Sequence, residues 1–173
     1  MAELKFVVTG TPGVGKSTAL NSVCDSLPIA TEATTSDDLS AVKETTTVAL
    51  DFGEVLLDDG TCLRIYGTPG QIRFKHMWEI ISEGALGFII LIDATRKDPV
   101  EDLSIYIENF QPYISQTSAV VAITRDPDCS LEPYYNYLES NGLCFPVMCA
   151  DPRDRDDMTE VLMALIAMLE FSN

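Results

Sequence analysis

The chain has 173 residues, of which 46% are apolar and 22% charged, ordinary values for one globular domain. Eleven basic and 27 acidic residues give a formal net charge of −16. A negative field of this size repels nucleic acid and anionic membrane surfaces, so it argues against both as partners and favours a basic partner surface.

The cysteines and the apolar runs bear on where the protein works. Its five cysteines are odd in number and form no C-x-x-C pair, which predicts free thiols in a reducing compartment. The longest apolar run, 85–92, is far shorter than the roughly 20 residues of a membrane-spanning helix. We therefore expect a cytoplasmic protein without an integral membrane segment, with one domain over residues 1–173.

Apolar β-rich runs alternate with segments of helical period, which is typical of an α/β protein with a mostly parallel sheet. The polar segment 31–43 is predicted to be a loop, and Asp58-Asp59-Gly60 predicts a hairpin turn that makes one strand antiparallel. In chain order, we predict strand 4–9, helix 16–27, strands 47–57 and 62–66, helix 72–83, strand 86–93, helix 98–115, strand 119–124, helix 131–140, strand 143–150 and helix 158–171.

A phosphate-binding pattern lies between the first predicted strand and the first helix. The pattern G-x-x-x-x-G-K-[ST] is matched by Gly10, Thr11, Pro12, Gly13, Val14, Gly15, Lys16 and Ser17. Glycines let successive N–H groups turn toward an anion, and the helix that follows adds its positive N-terminal end. We expect Lys16 to neutralise the β- and γ-phosphates, Ser17 to bind Mg²⁺ and Thr18 to contact the α-phosphate. The sequence thus predicts a P-loop for a nucleoside tri- or diphosphate.

Two later segments resemble the Ras-like small GTPases. A threonine run (45–47) precedes the predicted hairpin, and Gly-Thr-Pro-Gly-Gln (67–71) follows it. More closely, TTTVALDFG (45–53) and GTPGQIRF (67–74) resemble a bacterial branch that includes gliding-motility and cell-polarity GTPases and the GTPases of actinobacterial four-gene operons. The resemblance implies a P-loop NTPase three-layer sandwich: a mostly parallel six-stranded sheet with one antiparallel strand and helices on both faces.

The resemblance also implies roles for individual residues. Thr47 would be the switch threonine that binds Mg²⁺, with Thr46 as the alternative because the threonine run leaves the register open. Gly70 would donate its amide to the γ-phosphate, and Gln71 would orient the attacking water beside Lys16.

The chain departs from the family pattern at two places. Gly67 stands where most P-loop NTPases have a Mg²⁺-holding aspartate, and Asp51 is a candidate substitute. The base-reading segment places Pro127 at the expected aspartate. The predicted base contacts are therefore Thr124 as a brace, Arg125 over the base, Asp126 or Asp128 as the acceptor, and the backbone of Ala150.

Taken together, these patterns predict a GTP/GDP-binding switch with slow intrinsic GTP hydrolysis that uses Mg²⁺. By resemblance, its partner is a Roadblock-type homodimer acting as an activating or effector protein. Two alternatives remain: a nucleotide-binding scaffold with little hydrolysis, and a P-loop protein without guanine specificity. An ATP-using P-loop kinase is less favoured, because no basic cluster of the kind that forms a kinase lid is present.

Overall fold

A computed structural model describes residues 3–26, 31–35 and 46–171, without the side chains of 31–35 and 46–49. Its strands pair into one sheet in the order β2-β3-β4-β1-β5-β6-β7. They are β1 (Glu3–Gly10), β2 (Thr31–Thr35), β3 (Thr46–Leu56), β4 (Cys62–Gly67), β5 (Gly87–Asp93), β6 (Ser118–Thr124) and β7 (Val147–Cys149). From β4 to β7 neighbouring strands run parallel, while β3 is antiparallel to β4.

The six predicted strands and the single antiparallel partner in the parallel sheet are confirmed. The predicted loop over 31–43 is wrong for Thr31–Thr35, which form β2 and pair with the first half of β3. Threonine suits an extended backbone because its β-branched side chain fits a pleated surface. A polar strand at the sheet edge has no apolar period, so the sequence pattern does not reveal it. The last strand is also shorter than predicted, since only 147–149 pair with β6.

Five α-helices connect the strands. They are α1 (Lys16–Val23), α2 (Lys75–Ser82), α3 (Pro99–Ile114), α4 (Glu132–Ser140) and α5 (Arg155–Phe171), and a 3₁₀ turn over Ile72–Phe74 precedes α2. Helix α1 ends before the predicted boundary, because Cys24 is already in an extended conformation. Within α3, Asp98 caps the N-terminus by accepting the N–H of Glu101 at 3.0 Å.

Two apolar cores lie on opposite faces of the sheet. One contains side chains of α2, α3 and α4, and the other contains side chains of α1 and α5. Strand β5 supplies both, with Ile90 in the first core and Ile89 and Leu91 in the second. This alternation explains why β5 is apolar at almost every position, as expected of a central strand covered on both faces.

The parallel strands bring their C-terminal ends to one edge of the sheet. There β1 ends at Gly10, β4 at Gly67, β5 at Asp93, β6 at Thr124 and β7 at Cys149. In open α/β sheets this edge is where ligands bind, because the loops that leave it converge. The predicted P-loop and both predicted recognition segments therefore start at the same edge.

Candidate functional site

The segment between β1 and α1 has the backbone that an anion nest requires. Gly13 and Gly15 have φ angles of 75° and 115°, in the left-handed region that favours glycine. Gly15 is also the N-cap of α1, so the unpaired N–H groups of the first helical turn face the loop. The sequence pattern thus forms the cradle it predicted.

Lys16 is nearly buried, with 8% of its surface exposed. Its ammonium group donates hydrogen bonds of 2.8 Å to the carbonyl oxygens of both Gly10 and Thr11. Burial lowers the pKa of Lys16 to about 8, against an opposing effect of the Asp51 carboxylate, which raises it. A phosphate group would stabilise the charged form, so Lys16 is suited to bind an anion.

Ser17 and Asp51 meet beside the P-loop although 34 positions separate them in the chain. The Ser17 hydroxyl donates a hydrogen bond to Oδ2 of Asp51. Gly67 faces the same carboxylate: a Cβ built on it would lie 3.1 Å from the Asp51 Cβ. Asp51 on β3 thus occupies the space that an aspartate at position 67 would enter. A hydroxyl and a carboxylate are oxygen ligands of the kind Mg²⁺ prefers.

A cavity of about 490 Å³ lies over these groups. Its predicted members are Pro12, Gly13, Gly15, Lys16, Ser17, Thr18, Gly70 and Gln71, and Asp51 and Arg73 line it as well. Gly70 lies so close to the P-loop that an added Cβ would come within 2.7 Å of the Lys16 Nζ. Gln71 is exposed and has no described hydrogen bond through its side chain, so it is available to a ligand in the cavity.

Two buried aromatic side chains hold the segment that precedes Gln71. Trp78 on α2 donates its indole N–H to the carbonyl of Pro69 at 2.6 Å. Tyr106 on α3 donates its hydroxyl to the carbonyl of Gly70 at 3.3 Å. The two rings also pack together, with centroids 5.4 Å apart. Helices α2 and α3 are therefore linked directly to Pro69 and Gly70, which line the first cavity.

A second cavity, of about 640 Å³, adjoins the first and shares Gly15 and Thr18 with it. Its wall includes the predicted residues Val14, Arg125 and Ala150. The other wall residues are Ile123, Pro127, Cys149, Asp151, Pro152, Arg153 and Asp157. The wall thus combines apolar residues with a few polar and charged ones, a mixture typical of small-molecule sites.

Arg125 lines the second cavity and contacts Gly13, which lines the first. Its guanidinium donates to the Gly13 carbonyl at 2.5 Å and forms an ion pair of 2.9 Å with Asp93. Arg125 is also the non-glycine residue with a positive φ angle among those described, at 69°. Such a backbone is strained for arginine, and strain of this kind concentrates at functional sites.

Asp93, which the sequence analysis did not single out, fixes this arginine. Burial raises the pKa of Asp93, but hydrogen bonds from the Thr95 hydroxyl and N–H, together with the Arg125 charge, lower it overall. The carboxylate is thus held ionised at the C-terminal end of β5. Asp93 is the last residue of an otherwise apolar strand, and this position in the sequence could have identified it.

The residues predicted to contact the base differ in whether they line the second cavity. Thr124 is fully buried, and its hydroxyl donates to the Ile92 carbonyl at 3.3 Å, so it braces β6 against β5. The structure does not place Asp126 or Asp128 on the cavity lining, although Pro127 between them lines it. The side chain of Thr47 lies outside the described residues. The backbone of Thr47 belongs to β3 and pairs with Thr34.

Comparison with known proteins defines the family. The model of the Ras family matches residues 5–140, which is well over half of the chain. The chain belongs to the Ras family. This confirms the resemblance to Ras-like proteins, and the match covers the P-loop, the hairpin and the base-reading segment.

Similar proteins come from archaea and eukaryotes. An uncharacterized protein of Methanocaldococcus jannaschii is 29% identical over 58% of this chain and 57% of its own length. The GTP-binding protein ypt2 of Schizosaccharomyces pombe is 25% identical over 81% of this chain and 66% of its own. The Ras-related protein Rab-4A of Homo sapiens is 24% identical over 79% and 59%, respectively. The Ras-family chain therefore spans about three fifths of the length of these relatives.

Two further features are absent from the described part of the chain. Within residues 3–26, 31–35 and 46–171, no helix has the length and apolar character needed to cross a membrane. Over the same residues, no three histidine, cysteine or acidic side chains group together as a metal site would require.

Proposed function

We propose that this Ras-family chain is a single-domain GTP/GDP-binding switch that hydrolyses GTP slowly, and that it belongs to the bacterial branch its sequence resembles. The observation that carries the proposal is the pair of adjoining cavities, one at the P-loop and one at the end of β6 and β7. Because both are lined by Gly15 and Thr18, a single nucleotide can place its phosphates in one and its base in the other.

The phosphates would be bound mainly by groups that are already in place. The first turn of α1 has N–H groups that are unpaired within the helix, and Lys16 supplies a nearly buried positive charge at the same cavity. When phosphates bind, Lys16 can exchange its hydrogen bonds to the Gly10 and Thr11 carbonyls for stronger charge-assisted ones. The net charge of −16 opposes binding, so these local groups must overcome the field of the whole molecule.

The site also fits Mg²⁺. Ser17 and Asp51 would hold the ion, Ser17 directly and Asp51 as the substitute for the aspartate missing at position 67. Mg²⁺ held there would supply positive charge to stabilise the phosphates during hydrolysis. The Thr47 backbone lies in β3, and its predicted role as a further ligand is part of the proposal.

Hydrolysis needs a positioned water molecule. Gln71 is exposed at the rim of the phosphate cavity, where its amide can orient water toward the γ-phosphate. Arg73 lines the same cavity, but its guanidinium lies over the Phe74 ring, 4.7 Å from the centroid. An arginine finger accelerates such reactions ~10³- to 10⁵-fold, and no such group is held in place here, so we expect fewer than about one turnover per second.

Competition binding tests the proposal. A fluorescent GDP analogue is bound with Mg²⁺ and displaced in parallel titrations by GDP, GTP, ADP and ATP. We expect guanine nucleotides to compete at least ~10³-fold better, because a site built on hydrogen bonds to one base leaves polar groups unpaired with another. Equal competition by adenine nucleotides would contradict the proposal and favour a P-loop protein without guanine specificity.

We further propose that the switch acts through a basic Roadblock-type homodimer. Support comes from an exposed apolar side chain beside the phosphate cavity: Ile72 in the 3₁₀ turn, next to Gln71, is 61% exposed. The acidic surface suits a basic partner. Co-elution with such a homodimer should occur with a non-hydrolysable GTP analogue and disappear with GDP. Co-elution that is independent of the nucleotide would contradict a switch.

A nucleotide-binding scaffold with little hydrolysis is the second candidate. It is favoured by Gly67 and by Asp126, whose carboxylate accepts the Asp128 N–H rather than lining the base cavity. The two candidates differ in the effect of Gln71→Leu on single-turnover hydrolysis. The switch predicts that this substitution abolishes the residual rate with nucleotide affinity kept, whereas the scaffold predicts no change.

A further inference from the structure

The base cavity is lined by two carboxylates, and both follow β7 rather than β6. They belong to Asp151, just after the strand, and to Asp157, in the first turn of α5. Guanine presents N1–H and N2–H₂ donors, which a carboxylate can accept together. The question is therefore which of the carboxylates near the cavity is free to do so.

The loop after β6 does not offer one. Asp126 turns back on its own loop, where its Oδ1 accepts the N–H of Asp128 at 3.2 Å. Asp128 is exposed, and neither residue lines the cavity. Pro127 does line it, but its side chain has no hydrogen-bonding group.

Asp151 lines the cavity but already has a partner. Both of its carboxylate oxygens accept from the Arg153 guanidinium, at distances of 2.8 to 3.2 Å, and Oδ1 also accepts the Arg153 N–H. Hydrogen bonds from the Arg153 side chain and backbone lower the pKa of Asp151 to about 2. Binding a neutral base here would require breaking this pair.

Asp157 differs from Asp151 in that only one of its carboxylate oxygens accepts a hydrogen bond from the described residues. Its Oδ2 accepts the Asp151 N–H at 2.8 Å, which fixes the side chain against the loop after β7. Its Oδ1 has no hydrogen-bond partner among the residues that the structure describes. The backbone N–H of Asp157 is capped by Asp154 at 3.0 Å, and the N-terminal end of a helix favours a negative charge. Asp157 therefore offers an oriented carboxylate oxygen at the cavity wall.

We propose that Asp157 is the specificity-determining residue of this site, its carboxylate accepting the N1–H and N2–H₂ groups of guanine. The base would then be read from α5 and not from the loop after β6. The inference rests on the proposed function, because it assumes that a guanine nucleotide occupies the cavity. It accounts for a base-reading segment in which proline replaces the aspartate.

The test is a change of base preference by Asp157→Asn. Xanthine has a C2 carbonyl where guanine has an amino group, so an asparagine amide fits xanthine and repels guanine. The asparagine carbonyl can still accept the Asp151 N–H, which preserves the local fold. We expect the affinity for guanosine diphosphate to fall ~10- to 100-fold and that for xanthosine diphosphate to rise, since mispaired buried polar groups cost about 1–3 kcal/mol.

Three matched variants make the same chemical change at the other candidates: Asp151→Asn, Asp126→Asn and Asp128→Asn. The ratio of the two affinities should stay at the wild-type value in all three. A shift toward xanthosine in any of them, or an equal loss of both affinities in Asp157→Asn, would overturn the inference. A purely structural role for Asp157 lowers both affinities together and does not change their ratio.

The wild-type protein separates the two levels of the argument. If it prefers guanine over adenine nucleotides and Asp157→Asn leaves the preference unchanged, the inference fails and the proposed function stands. If it shows no guanine preference before any substitution, the proposed function fails, and the inference fails with it.

Discussion

Single residues decide which carboxylate lies beside the P-loop serine Ser17. Gly67 leaves room at the end of β4, and Asp51 fills that room from the neighbouring strand β3. The two positions are directly paired in the sheet, which is why one carboxylate can reach the place of the other. The carboxylate is thus supplied across the strand pair.

We expect Asp51→Asn to weaken Mg²⁺ binding by ~10- to 100-fold, as is typical when an oriented carboxylate is lost from a metal site. The measurement is the Mg²⁺ dependence of GDP release. The double variant Asp51→Gly with Gly67→Asp exchanges the two side chains and should recover most of the loss. If Asp51→Asn kept the wild-type affinity for Mg²⁺ and the double variant did not, Asp51 would not be a magnesium partner.

Lys16 makes nucleotide affinity depend on pH. Burial lowers its pKa to about 8 in the free protein, and bound phosphates restore the charged form. Binding then takes up a proton above that pH, so the affinity for GDP should be constant below about pH 7.5. It should fall about fivefold between pH 8 and pH 9. Lys16→Arg, which does not titrate, should remove this dependence, and a flat wild-type profile would contradict it.

At the scale of the elements, hydrogen bonds join helices α2 and α3 to the loop that follows β4, at Pro69 and Gly70. Trp78 and Tyr106 donate to consecutive carbonyls of that loop, and Trp78 also stacks on Phe110 at 5.3 Å. The helical period of a sequence favours burial of apolar aromatic residues in general. It does not reveal that the polar atoms of Trp78 and Tyr106 reach across to the loop.

Trp78→Phe keeps most of the ring packing and removes the donor to the Pro69 carbonyl. We expect the affinity for a GTP analogue to fall up to ~10-fold relative to that for GDP, because the predicted role of the Gly70 amide is to bind the γ-phosphate, which GDP lacks. Equilibrium titrations with both nucleotides give the ratio. Tyr135→Phe, which removes a hydroxyl bonded to the Val147 carbonyl away from the loop, is the matched control. If the ratio of the two nucleotide affinities stayed unchanged in Trp78→Phe, the hydrogen bond of Trp78 would have no role in γ-phosphate binding.

At the scale of the whole molecule, the charge balance outweighs the individual ion pairs. The described residues contain six ion-pair contacts, two of which share Arg64, and most are exposed. Exposed pairs contribute about 0–1 kcal/mol each, whereas the net charge of −16 produces repulsion among the acidic residues over the surface.

Added salt should therefore stabilise the protein. With GDP and Mg²⁺ at saturating concentrations, we expect the melting temperature to rise by a few degrees between about 0.05 and 0.5 M NaCl, because screening weakens the repulsion more than the pairs. A melting temperature that falls with salt would mean that the ion pairs dominate. Potassium chloride at the same ionic strength controls for a specific effect of sodium.

Much of the fold could be predicted because its signals are local. The P-loop pattern specifies glycines at positions with positive φ, and continuous apolar runs identify the central strands. The fold class and the membership in the Ras family, both predicted from these segments, are confirmed. The functional roles of Thr47, Gln71 and the base contacts stay predictions, since they depend on ligand contacts that a sequence pattern only suggests.

The sequence by itself determined the P-loop pattern and, apart from β2, the alternation of strands and helices along the chain. Only the tertiary structure decided which distant side chains meet there: Asp51 with Ser17, Arg125 with Gly13 and Asp93, and Asp157 at the base cavity. The physical reason is that backbone conformation and helical or strand period are set by neighbours in the chain. A contact such as that of Arg125 with Gly13, 112 positions away, depends on how the sheet brings separate loops together.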